Sequence, residues 1–244
     1  MLSSAADEAD VLGGLNATFE RRGLRDHVYD SILQLLLSGE VPPGSRLSID
    51  TIARRLTVSP TPVREAMVQL ERTGLVTREA LKGYRVAPPL NTSQLAELFE
   101  ARLMLETTAA RLTTPARPPM IDELRAAEDQ HRSIGEAVIG AMGSGSADVA
   151  LTAAYFAADA AFHRVVFRHC RNHYIQEMSE GLGAQLHRMR QSVQHGVTDV
   201  REAIAEHDAI VAAYESQDAA APEAAMRLHI EGVRSRSLDI ADQS

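Results

Sequence analysis

At 244 residues, with 45% hydrophobic but only 4% aromatic side chains and no Trp, the chain exceeds what one small domain needs, and its cores must come from Ala, Leu, Val, Ile and Met. A formal net charge of −8 argues against a nonspecific nucleic-acid coat, and the single cysteine, Cys170, excludes an internal disulfide. No uninterrupted apolar run of about 20 residues is present, so no membrane partner is expected, and with no signal peptide the cytoplasm is the expected address.

Residues 1–22 are rich in Ser, Ala, Asp and Gly without a sustained apolar period, and read as a flexible tail. The first folded domain is expected over 23–87. It opens with an amphipathic helix carrying Leu24, Val28, Ile32, Leu35 and Leu36, which ends at Ser38-Gly39 before the turn Val41-Pro42-Pro43-Gly44. Ile49, Ile52, Ala53 and Leu56 then recur at helical spacing, the chain breaks at Thr57-Val58, and Val63, Met67 and Leu70 form a second apolar stripe. Ser59 stands at the N-cap of this second helix, with Pro60 and Pro62 in its first turn, where free N–H groups have no intrahelical partner.

Two short helices joined by a tight turn are the pattern of a helix-turn-helix, whose second helix enters the DNA major groove by its N-terminal end. Arg64 is the natural reader of guanine or phosphate through its two-pronged guanidinium, and Ser59 and Thr61 offer hydroxyls one turn earlier. Arg54 and Arg55 on the preceding helix are placed to grip the DNA backbone. The same spacing also fits an ordinary helical hairpin with solvated arginines. Beyond Gly74, which stops the helix, Leu75–Arg78 and Tyr84–Ala87 read as two strands around a loop containing Lys82 and Gly83, a basic hairpin of the kind called a wing. Residues 24–87 hold nine Lys and Arg against seven Asp and Glu, whereas 88–244 hold 14 against 22, so DNA affinity belongs to the first domain.

Pro88-Pro89-Leu90-Asn91 reads as a linker (88–91), followed by an all-helical domain over 92–240. Its periodic segments run roughly 92–113, 118–141, 147–169, 172–194, 198–216 and 219–239. Pro115, Pro118 and Pro119, the Gly143-Ser144-Gly145-Ser146 loop, Asn172 as a cap, and Gly196-Val197-Thr198 divide them, and an antiparallel bundle is the economical packing. The fold class is therefore mainly α, a winged helix-turn-helix followed by a helical bundle.

Asp159 and His163 lie one turn apart on a shared helix face, as a chelating pair requires. His207 precedes the turn near Gln217 by about as much as His229 follows the turn near Ala219, so both stand roughly 15 Å from the bend of a helical hairpin. Three imidazoles and one carboxylate suit zinc, nickel or manganese, and leave an octahedral ion two positions for a ligand carboxylate. Each of these histidines taken singly also fits an ordinary helix position.

The first domain resembles the GntR family of transcription regulators through Pro42-Pro43-Gly44-Ser45-Arg46-Leu47, Thr61-Pro62-Val63-Arg64-Glu65-Ala66, Leu70-Glu71-Arg72-Thr73-Gly74-Leu75-Val76 and Gly83-Tyr84-Arg85-Val86. The resemblance implies that Ser59, Thr61, Arg64 and the wing glycine Gly83 approach DNA. Two positions depart from the family, Pro60 and Asp50 standing where arginines are usual, so the operator sequence does not transfer. The second domain resembles the FadR-type C-terminal domain of the same family through Glu97–Glu106, Asp159-Ala160-Ala161-Phe162-His163, Glu206-His207-Asp208-Ala209-Ile210 and Ala225-Met226-Arg227-Leu228-His229. It implies that Asp159, His163, His207 and His229 hold a metal and that Arg102 faces an effector cavity; a solvent-exposed Arg102 is the other reading of that position. Together these imply a homodimeric regulator, a repressor by family habit, that reads a roughly palindromic operator in double-stranded DNA and responds to a small organic acid. A metal-dependent hydrolase with Glu106, Glu206 or Asp208 as general base is the alternative, and a protein-binding helical adaptor a third.

Overall fold

The computed structural model describes residues 15–37, 41–80, 82–143, 149–192, 197–216 and 218–241, and divides into two compact units between Pro88 and Pro89. Among the described residues no helix is long and apolar enough to cross a membrane.

In the first unit, α1 spans Leu15–Leu37. It starts well before the expected Leu24: no proline or turn signal separates Leu15 from Leu24, and a single Gly23 costs a helix only about 1 kcal/mol. The earlier part of the expected tail, and the helix end at Ser38-Gly39, lie outside the described residues. Val28, Ile32 and Leu36 form the buried stripe of α1. After β1 (Arg46–Leu47), α2 (Ile49–Leu56) is capped by Ser48 Oγ, which accepts from Thr51 N–H at 3.3 Å, and is stopped by Thr57 in the left-handed conformation at φ 57°. The recognition helix α3 (Pro60–Arg72) packs against α1 and buries Val63, Ala66, Met67 and Leu70 completely. Ser59 does occupy its N-cap position, but its side chain makes no cap hydrogen bond. Pro62 removes the N–H at the third helical position, a donor from which a capping serine hydroxyl would accept.

Gly74, at φ 75°, turns the chain from α3 into the hairpin β2 (Val76–Glu79) and β3 (Gly83–Val86). The sheet has the order β1-β3-β2 and is antiparallel throughout, with Leu47 opposite Tyr84 and Val76 opposite Val86. The third strand, β1, escapes sequence reading because two residues carry no period.

The second unit consists of α4 (Thr92–Leu112), α5 (Pro118–Gly143), α6 (Val149–His169), α7 (His173–Ser192), α8 (Val197–Glu215) and α9 (Ala221–Ala241). Each lies within a turn of its expected segment. The Gly-Ser stretch at 144–146 falls outside the described residues. α9 packs on α4 and α8, and α5 on α6 and α8, around a core that includes Leu95, Phe99, Leu124, Phe162, Ile210, Met226 and Ile230. Leu90 belongs to this core, and Asn91 opens α4 with a capping box: its Oδ1 accepts from Gln94 N–H at 2.9 Å, and its N–H donates to Gln94 Oε1 at 3.2 Å. Asn91→Ala should therefore lower stability by about 0.5–2 kcal/mol in urea unfolding, the usual worth of an N-cap.

Candidate metal centre and nucleic-acid interface

Helices α6, α8 and α9 bring three buried histidines to one point. The ring nitrogens of His163, His207 and His229 lie within 4.8 Å of one another, and all three residues are buried. Nε2 of His163 is 3.3 Å from Nε2 of His229, and Asp159 Oδ1 is 3.7 Å from both His163 Nε2 and His207 Nε2. Nε2 of His207 has no hydrogen-bond partner among the described residues. Bonds of about 2.0–2.2 Å to one ion put neighbouring donors roughly 3–3.5 Å apart, a spacing that the 3.3 Å His163–His229 pair already has and that the 3.7 Å contacts of Asp159 approach. The i, i+4 pair on α6 and the level pair across the α8–α9 bend therefore meet as their spacing led one to expect.

Each imidazole is turned inward by a glutamate behind it. His229 Nδ1 lies 2.8 Å from Glu206 Oε2, His207 Nδ1 lies 3.1 Å from Glu128 Oε2, and His163 Nδ1 lies 2.6 Å from Glu106 Oε2. Each glutamate in turn meets an arginine: Arg102 Nε donates to Glu106 at 2.8 Å, Arg132 reaches Glu128 at 3.5 Å, and Arg236 donates to both oxygens of Glu206 at 2.7 and 3.0 Å. Such partners fix the tautomer of a ligating histidine, leaving Nε2 as the lone-pair donor. His131 sits behind the cluster, its ring 4.4 Å from that of His207 and 4.9 Å from that of Tyr155, with neither ring nitrogen hydrogen-bonded among the described residues.

The electrostatics favour a cation at this point. Burial opposes charge on His163, yet Glu106 and Asp159 override it and push the imidazole up to about 9. Burial, joined by the charge on His163, pushes His207 down to about 4 and His229 well below its ordinary value. Burial would also raise Glu106, but Arg102 and His163 hold its carboxyl well below the usual carboxylate range. Positive charge is thus favoured at His163 and disfavoured at the other two imidazoles, at the point where a metal ion would place its own.

A cavity of about 450 Å³ opens beside Asp159 and His163, walled by Glu106, Arg164, Phe167 and Leu186 among others. Its size is that of a small-molecule site. Arg102 is not solvent-exposed, and it does not line this cavity. At 4% exposure it is buried behind Glu106 and stacks its guanidinium 5.7 Å from the Phe99 ring. It lies four residues before Glu106, and that spacing ties it to the carboxylate rather than to open space.

In the first unit Ser59, Thr61 and Arg64 are all exposed at the N-terminal end of α3, and Arg54 and Arg55 are exposed on α2, Arg54 Nη2 lying 3.4 Å from Thr51 Oγ1. Arg25 and Arg72 line the same shallow groove as Arg64. Gly83 is exposed at the start of β3 with φ 85°, a backbone conformation that favours glycine at the tip of the wing. Beside it Arg85 donates to Gly44 C=O at 2.9 Å and pairs with Glu79 at 3.1 Å, which ties the wing to the turn before β1.

Sequence reasoning missed Glu128 and Arg236 altogether, and it placed Glu106 and Glu206 in the wrong role. As general bases they are unsuited, since each carboxylate is already committed to an arginine and a histidine. Asp208, the third candidate base, is paired with Arg132. One signal was available: Arg102 and Glu106, like Glu128 and Arg132, are i, i+4 pairs of opposite charge.

Comparison with known proteins matches each of the two units to a family model. Residues 24–86 match the model of the bacterial regulatory proteins, gntR family, and residues 97–232 match the FCD domain. The uncharacterized HTH-type transcriptional regulator YdhC of Bacillus subtilis is 30% identical over 84 residues, which is 34% of this chain and 37% of that protein. Over that stretch the chain spans little more than a third of its relative. A probable D-xylose utilization operon transcriptional repressor of Paenarthrobacter nicotinovorans is 27% identical over 210 residues, 86% of this chain and 87% of that protein. A GntR structure from Rhodococcus sp. RHA1 has the same fold, with a TM-score of 0.73 at 20% identity, covering 88% of this chain and 97% of that one. The family and its neighbours are transcription regulators and not enzymes, which removes the hydrolase reading. With a winged helix-turn-helix at its head and the matched FCD domain filling most of its helical unit, the chain belongs to the GntR family of DNA-binding transcription regulators.

Proposed function

We propose that the helical domain (92–240) holds one divalent cation, zinc, nickel or manganese, on Asp159, His163, His207 and His229, and that a small carboxylate entering the adjacent cavity controls DNA binding by residues 23–87. The observation that carries this reading is the convergence of three buried Nε2 atoms and Asp159 Oδ1, with every Nδ1 turned outward onto its own glutamate. When bound, the ion supplies a Lewis-acid anchor for a carboxylate oxygen. The glutamates orient the imidazoles and make them strong donors, while Phe167 and Leu186 give the cavity an apolar wall.

Charge bookkeeping supports a carboxylate. Each glutamate behind the imidazoles meets an arginine, and three metal-bound, neutral imidazoles with Asp159 leave a divalent site at net +1. One monoanionic acid neutralises it. Arg102 contributes to that recognition through Glu106 and not by touching the acid.

Ser59, Thr61, Arg64 and the wing at Gly83 form the reading surface, with Arg54 on the phosphates. A homodimer presents two such surfaces to a roughly palindromic operator. Effector acts by binding one arrangement of the reading domains better than another, since equal affinity for both would shift nothing. The full-length relative named a repressor supports repression as the resting state. Selection of bound duplexes from the genomic neighbourhood of the gene, repeated with and without carboxylic acids and with metal-stripped protein, tests the whole reading. Arg64→Ala should weaken specific operator binding by about 1–3 kcal/mol while sparing weak nonspecific affinity. Undiminished specific binding by that variant would remove Arg64 from the reading surface.

A further inference from the structure

The α8–α9 hairpin carries two facing stripes. Asp199, Glu202 and Glu206 repeat at spacings of three and four along α8, and His229, Gly232 and Arg236 do the same along α9. Arg236 Nε donates to Asp199 at 2.6 Å, Nη1 lies 3.0 Å from Glu202, and the two Nη groups take both oxygens of Glu206 at 2.7 and 3.0 Å. The Glu206 oxygen that accepts from Nη2 is the one that faces His229 Nδ1 at 2.8 Å. Room for this arrangement depends on position 232. A Cβ there would come within 2.5 Å of Glu206 Oε1 and 3.0 Å of Arg236 Nη1. Glu206 is a flexible side chain, but its carboxylate is pinned from two sides, so yielding to a methyl group means leaving Arg236, His229 or both.

We propose that Gly232 and Arg236 are positioning residues for the metal site, holding the Glu206 carboxylate against His229 so that its Nε2 points at the ion. The inference rests on the metal reading above and adds to it a specific dependence on two residues that touch neither ion nor effector. It separates cleanly from a structural role because alanine is a better helix former than glycine, so a methyl group at 232 favours α9 itself while displacing Glu206.

The test uses full-length, untagged protein stripped with a chelator and titrated with Zn²⁺ against a chromophoric competitor, with thermal unfolding of the zinc-free and zinc-loaded forms. Gly232→Ala should bind zinc about 10–100-fold more weakly, the usual cost of losing an outer partner of a ligating histidine. Its zinc-free form should melt no lower than the wild type, and the rise in Tm on adding zinc should shrink. Arg236→Lys keeps the charge but not the two-pronged geometry, and should move zinc affinity in the same direction. Wild-type zinc affinity in both variants would overturn the inference, as would a loss of affinity matched by an equal fall in the melting point of the zinc-free protein. A control with His163→Ala separates the two levels. If wild type and that variant take up zinc alike, the quartet itself is wrong and this inference falls with it; if only the control loses zinc, the positioning role alone is wrong.

Discussion

Replacing His163 with alanine should abolish stoichiometric uptake of a divalent metal by the full-length protein while leaving it folded. The expected loss exceeds the roughly 10–100-fold that removal of an outer partner costs, because a donor atom itself is gone. Folding should survive because the neighbours of His163 keep other partners: Glu106 retains the 2.8 Å bond from Arg102, and His207 and His229 retain their own glutamates. Asp159 would face only two imidazoles, a three-ligand set one donor short of the quartet. His169→Ala is the matched control, since it lies on the same helix but its Nε2 faces Glu123 at 3.1 Å, away from the cluster. Metal analysis of untagged protein decides the matter, and the stabilisation produced by carboxylic acids should vanish together with the metal. Full metal content in the His163 variant would refute the ligand set.

Much of this architecture was legible because it is written in local spacing. The break at Thr57, the glycine at 74, and the alternation of Val63, Met67 and Leu70 specify the helix-turn-helix, and each acts within a few residues of its effect. The meeting of Asp159 with three histidines was legible for a related reason. Asp159 and His163 share one helix face, and His207 and His229 are related by the geometry of a hairpin.

The supporting shell was not legible, because its partners lie on other helices and no local rule pairs them. Glu106 and Glu128 come from α4 and α5, far from the histidines they serve. Glu206 is the clearest case. It adjoins His207 in sequence, yet consecutive helix residues point about 100° apart, so it turns away from His207 and serves His229 across the hairpin. Arg102 misled for the same reason in reverse. The resemblance pointed it into an effector cavity and its charge pointed it to solvent, and only the packed bundle shows that Glu106 draws it in.

Phe162 joins the hydrophobic core to the histidine cluster, and its truncation should be the most destabilising single change in the bundle. The ring is fully buried, stacks on His207 with 4.0 Å between centroids at an interplanar angle of 11°, and meets His163 edge-on at 5.6 Å. Phe162→Ala should cost about 3–5 kcal/mol through lost burial and the cavity left behind. Against a domain stability of about 5–15 kcal/mol that is a large share. Phe162→Leu keeps most of the apolar volume and should forfeit the aromatic contacts, about 0.5–1.5 kcal/mol each. Urea unfolding followed by far-UV circular dichroism measures the loss, and hydrogen exchange in α6 and α8 assigns it to the bundle. Metal affinity should fall too, because the His207 ring loses the aromatic ring stacked on it. A cost below about 1 kcal/mol for Phe162→Ala, with metal affinity intact, would mean that the core and the quartet are independent, contrary to the stacking that joins them.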